Sequence, residues 1–135
     1  MDALTHAVEA YIGHGGTKYT NKMAEEAILG IQKHLKNSVD EPHDLVARAG
    51  MLKASFQAGA AFTRAYVGNI HAMAHTFGGF YQVPHGYANA IIMPHVLKFY
   101  GKTAESKLAK LSDLLKLTDT NVSNGMKMKA FIDWN

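Results

Sequence analysis

Asp2 and His6 stand four residues apart, so on a helix both side chains project from one face, about a turn apart, within reach of a single ion. His71 and His75 repeat that spacing. His85 follows fourteen residues after His71, beyond a Gly78-Gly79 pair that reads as a turn returning one segment to the other. Five candidate ligands from three segments offer imidazole nitrogen and carboxylate oxygen. That donor set suits ferrous iron, zinc, manganese, cobalt or nickel. Spacing alone does not choose among His71, His75 and His85. The other histidines read differently: His14 in a Gly-rich loop, and His34 and His43 beside lysine or acidic residues, read as solvated surface, and His95 after Pro94 as a structural contact.

Several other chemistries are excluded. Cysteine is absent, which removes disulfides, a thiolate nucleophile and any zinc site built on sulfur. No HExxH occurs, and no glutamate is followed three residues later by histidine, so neither the zinc-protease nor the di-iron bundle signature is present. The glycines from Gly13 to Gly16 follow a helical pattern rather than a strand and match neither phosphate-cradling motif, so they read as a loop that ends a helix. Lys98, Lys102, Lys107 and Lys110 are interrupted by Glu105, with Asp113 just beyond, and a formal charge of +3 is too small to demand an anionic partner. No nucleic acid is expected. The opening MDALTHAVEA lacks a basic stretch and a long apolar run, and no window approaches the roughly 18 apolar residues of a membrane span. A soluble, cytoplasmic protein with no membrane partner is the expectation.

The elements that must position these residues are helical. A chain of 135 residues, 47% apolar and 19% charged, has room for one packed domain and is too apolar for disorder. Apolar residues recur at helical spacing. In the first segment Asp2, His6, Glu9 and Gly13 share one face, with Leu4, Ala7, Val8 and Tyr11 opposite. A second helix is predicted over 19–36, with Met23, Ala27, Ile31 and Leu35 as its buried stripe and Asn37-Ser38 as its stop. A third begins near Pro42, and its many Ala, Gly and Ser residues allow neighbouring helices close. NIHAMAHTF reads as a short helix broken at Gly78-Gly79, and another opens at about His85, behind Pro84, to be kinked or ended by Pro94. KTAESKLAKLSDLLKL is amphipathic through Leu108, Leu111 and Leu115, and the segment from Asp119 onward carries little pattern. Tyr66, Tyr87 and Phe99 read as core.

MDALTHAVEAY, LKASFQAGAAF and GNIHAMAHTFGGFYQVPHGYANAIIMPHVLKFY together resemble the iron-containing (group III) alcohol dehydrogenases, from Met1 to about Leu117. Members pair an N-terminal domain that binds NAD or NADP with an all-α, bundle-like C-terminal domain of the dehydroquinate synthase type that binds the metal. The resemblance here is to the C-terminal domain only. It implies that the chain is an isolated domain, a fragment or a truncated gene product, incomplete relative to the family after about Asp119, with the nucleotide-binding domain as a missing partner. Carried over residue by residue, the ligand set falls on Asp2, His6, His71 and on His85 of the PHG sequence. His75 matches a residue that lines the substrate and nicotinamide pocket, and Phe62 lies in the family's AF motif as a pocket wall.

The resemblance implies reversible hydride transfer between an alcohol and an aldehyde or ketone. A divalent ion, Fe2+ or alternatively Zn2+, serves as Lewis acid and His75 as proton relay. NAD or NADP would be held only with the N-terminal domain, so the chain alone is expected to be inactive. A homo-oligomer is compatible with it. The competing reading is a non-catalytic helical module for metal binding or assembly.

Overall fold

The computed structural model describes residues 1–134 as seven helices, with no strand among them. They are α1 (Asp2–Ile12), α2 (Lys18–Asp40), α3 (Leu45–Ala65), α4 (Asn69–Tyr81), α5 (His85–Tyr100), α6 (Lys102–Leu115) and α7 (Asn124–Trp134). The all-α expectation holds.

Helix α1 is the hub, touching α2, α3, α4, α5 and α6. A single helix with so many neighbours must bury most of its circumference, and Leu4, Ala7, Val8, Ala10 and Tyr11 are joined inside by Thr5 and Glu9. The face that carries Asp2, His6 and Glu9 is therefore partly buried, with Glu9 fully inside. Its carboxyl end is closed from outside: Lys107 Nζ of α6 donates to Ile12 O and Gly13 O at 3.2 and 2.7 Å, placing a cation where the helix dipole is negative. The lysine strip read from the sequence is thus partly spent on packing.

Helices α2 and α3 form a hairpin with a seam of small residues. Ala24, Ala27, Ala54, Ala58 and Ala61 are buried, and a Cβ added at Gly30 would lie 3.0 Å from that of Ala54. The buried stripe of α2 runs through Ala24, Ala27, Ile28 and Ile31, while Met23 and Leu35 are only partly covered.

Three expected helix limits differ, and the two outcomes expected at Pro94 are narrowed to one. Helix α2 continues past Asn37-Ser38, because Ser38 Oγ bonds back to Leu35 O at 2.8 Å and Lys36 pairs with Asp40; it stops before Pro42. Helix α3 starts at Leu45, where the Asp44 carboxylate accepts from Val46 N and Ala47 N, rather than at Pro42. Gly78-Gly79 does not break α4. The turn falls at Gln82, whose left-handed backbone (φ 54°) returns its N–H to Gly78 O. Pro94 does not end α5, since Met93, Val96 and Leu97 on either side of it are buried and hold the helix together.

The segment from Asp119 contains α7, anchored by Phe131 and Ile132 and by a Lys127–Asp113 ion pair of 2.8 Å. Tyr66, Tyr87 and Phe99 are exposed rather than core.

Candidate metal centre

Three helices deliver the candidate ligands to one place. Asp2 and His6 come from the first turns of α1, His71 from the first turn of α4 and His85 from the first residue of α5. Asp2, His6 and His71 each offer an atom such that all three lie within 4.8 Å of one another. Pairwise, His6 Nδ1 is 3.5 Å from Asp2 Oδ2, and His71 Nε2 is 3.5 Å from Asp2 Oδ1. His85 joins through Asp2, its Nε2 lying 3.2 Å from Oδ1. The donor set, one carboxylate and imidazole nitrogens, is the kind that borderline divalent ions accept.

Helix rotation separates the two histidines of α4. Ile70, His71 and Ala74 face inward, so His75 is carried to the exposed rim. There its ring stacks on His85 with centroids 4.9 Å apart. His6 lies between Phe62 and His71, each 4.1 Å away by ring centroid. Phe62 thus forms a wall against a candidate ligand. Burial lowers the pKa of His6, the neighbouring His71 lowers it further, and Asp2 only partly opposes them. His6 is therefore biased toward the neutral imidazole that coordination requires.

Two further residues belong to this centre, and sequence reasoning passed over both. Glu9 is 2% exposed and its carboxylate accepts from Ile70 N at 2.7 Å, from His71 N at 3.4 Å and from His71 Nδ1 at 2.6 Å. Burial pushes the Glu9 pKa up, but hydrogen bonds from the His71 ring and the Gly68 and Ile70 N–H groups outweigh it and hold it below the usual range. Its position seven residues after Asp2 and three after His6, on their face, was the one signal available. Asn89 is fully buried and extends Nδ2 to Asp2 Oδ1 at 2.8 Å, His85 Nε2 at 3.2 Å and His71 Nε2 at 3.4 Å. Its Oδ1 has no partner. His14 and His43 are exposed as expected, His34 packs against Gly50, and His95 is exposed.

Helices α1, α4 and α5 thus gather a carboxylate and several imidazoles that could hold a divalent ion. The profile of the Fe-containing alcohol dehydrogenase family, C-terminal, matches residues 1–133, and the chain belongs to that family. It is 45% identical over 114 residues to alcohol dehydrogenase 4 of Schizosaccharomyces pombe, covering 84% of this chain and 27% of that protein. With 1,3-propanediol dehydrogenase of Klebsiella pneumoniae the identity is 43% over 123 residues, covering 91% and 32%. Its fold superposes on a crystal structure of 1,3-propanediol oxidoreductase with a TM-score of 0.94 and 41% identity, covering 98% of this chain and 35% of that one. The chain therefore spans about a third of the length of the relatives it matches.

Proposed function

We propose that this chain is the metal-holding half of an NAD- or NADP-dependent alcohol dehydrogenase, with Asp2, His6, His71 and His85 binding one divalent ion, Fe2+ or alternatively Zn2+. The observation that carries it is the convergence of Asp2, His6 and His71 from two helices 65 residues apart in sequence, with His85 at the margin. Donor chemistry supports a dication: a carboxylate, Asp2, lies at the site and a second, the buried Glu9, stands behind it.

Bound there, the ion supplies Lewis acidity to an alcohol or aldehyde oxygen. The protein's own residues do the rest. Phe62 covers one face of His6 and excludes water from it. His75, exposed beside His85, presents an imidazole that can pass the hydroxyl proton to solvent. Hydride transfer needs the nicotinamide held within roughly 3 to 3.5 Å of the reacting carbon. Among the described residues there is no strand leading into a Gly-rich turn, so that role is assigned to a separate N-terminal nucleotide-binding domain.

Metal analysis and zinc calorimetry test the site. His71→Ala is expected to abolish binding while His75→Ala retains it; unchanged affinity in His71→Ala refutes the ligand set. NADH formation from short primary alcohols and 1,3-propanediol is expected only when the chain is joined to a family nucleotide-binding domain. Inactivity of the joined protein with its metal site filled would favour the non-catalytic helical module.

A further inference from the structure

We infer that Glu9 is a positioning residue that fixes the ring of His71 in one tautomer, with the hydrogen on Nδ1 and the lone pair of Nε2 aimed at Asp2 and His6. The inference rests on the metal-centre reading only in its consequence for metal affinity; its structural content stands on the metal-free protein.

The ring of His71 is contacted on both sides, and the contact with Glu9 places its hydrogen. On one side, Glu9 Oε2 lies 2.6 Å from His71 Nδ1, while Oε1 is held by Ile70 N at 2.7 Å. On the other side, the Asn89 amide nitrogen faces Asp2 Oδ1, His85 Nε2 and His71 Nε2. The Asn89 orientation is set by Asp2: turning the amide over would put two acceptor oxygens 2.8 Å apart. The Asn89 amide has two N–H groups and nearer acceptors in Asp2 Oδ1 and His85 Nε2, so its 3.4 Å approach to His71 Nε2 does not decide the tautomer. Glu9 does: an ionised carboxylate can only accept, so the Nδ1 that it faces at 2.6 Å carries the ring hydrogen and leaves the lone pair on Nε2.

The same carboxylate fixes the helix that carries the ring. Gly68 has no side chain with which to cap α4. The free N–H groups of the first turn are taken up from other helices instead: Asn69 N by the Tyr100 hydroxyl at 3.4 Å, and Ile70 N and His71 N by Glu9. A negative charge at this end also meets the positive end of the helix dipole. Glu9 thus sets both the placement of the His71 backbone and the rotation of its ring. A carboxylate behind a ligating imidazole also raises the basicity of the far nitrogen. Glycine at position 68 is needed for the approach, because a Cβ there would stand 2.8 Å from Glu9 Oε1.

Glutamine cannot replace Glu9 without conflict. With one oxygen and one NH2 group, it must either leave Ile70 N without an acceptor or present N–H to His71 Nδ1. The second choice turns the ring hydrogen to Nε2 and closes the lone pair that faces Asp2.

The test is long-range 1H–15N correlation of the histidine rings in metal-free protein at pH 8, with zinc affinity by calorimetry alongside. Wild type is expected to show His71 as the Nδ1–H form; the Nε2–H form there would overturn the inference without any variant. Glu9→Gln is expected to move His71 toward Nε2–H and to weaken zinc binding about 10- to 100-fold. A folded Glu9→Gln with unchanged His71 shifts would also overturn it. Should Glu9→Gln fail to fold, Gly68→Ala, which keeps the charge but displaces the carboxylate, is expected to perturb the His71 shifts, and unchanged shifts would count against the inference. A tautomer change in a protein that binds no zinc would sustain the role of Glu9 and refute the metal-centre reading. Zinc binding with no tautomer response would do the reverse.

Discussion

The α2–α3 hairpin and the junction of α1, α4 and α5 are both buried, yet they are built from opposite materials. The hairpin seam is alanine and glycine with Ile28 and Ile31, whose packing is non-directional and whose strength follows the area removed from water. The junction buries Glu9, His71 and Asn89 around the partly exposed Asp2 and His6. Each of those groups costs free energy to desolvate unless it has a partner of correct geometry. One region contributes stability; the other spends some of that stability to hold donors and acceptors in fixed directions.

A crossed pair of substitutions breaks the comparison most sharply. Ile28→Ala, at a fully buried site of the hairpin, is expected to cost about 2–5 kcal/mol in urea unfolding while leaving the zinc affinity of the folded protein unchanged. Asp2→Asn is expected to abolish zinc binding and to cost the metal-free protein no more than about 1 kcal/mol in urea unfolding, the loss of a half-exposed charge at the start of α1. Equal effects of both changes on both readouts would show the two regions to be one cooperative unit for binding.

Acid should act on the junction first. The His6 pKa is lowered in the folded protein from its ordinary value of 6.5, by burial before all else. Below that value the unfolded chain therefore gains a proton that the folded one resists, and metal-free stability should decline as pH falls from about 6.5. The Glu9 pKa is also lowered, so its contribution is present above the ordinary carboxylate range and is lost as pH falls through its folded value. Urea midpoints at several pH values between 8 and 2 are expected to fall in those two stages in wild type, the first from about pH 6.5 and the second below about pH 4.5. Ile28→Ala should show the same pH slope, displaced to lower stability.

The smallest effect is expected outside both regions. Lys129 and Asp133 pair four residues apart on the exposed side of α7, and Lys129→Ala should leave the thermal midpoint unchanged within error. A clear drop would mean that α7 depends on its surface charges rather than on Phe131 and Ile132.

Local pattern made most of the helices legible, because a helix advertises itself through residues three and four apart. The limits of α2, α3 and α4 differ from the local pattern, where a breaker is outvoted by burial or by a side chain that satisfies the backbone. Helix α7 was missed because its buried residues are few and its period weak. In the centre, spacing leaves His71, His75 and His85 open and the resemblance selects Asp2, His6, His71 and His85; the fold draws Asp2, His6 and His71 together, with His85 beside Asp2.

The sequence by itself determined the all-α class, the shared face of Asp2 and His6, and the set of donors available, since these depend on helix periodicity and residue chemistry alone. Only the tertiary structure decided that His71 rather than His75 turns inward, because the rotation of α4 is set by the burial of Ile70 and Ala74 against other helices. It alone decided that Glu9 and Asn89 stand behind and beside the ligands. Glu9 meets His71 across 62 positions and Asn89 meets Asp2 across 87, and contacts at such separations leave no period or motif in the chain that makes them.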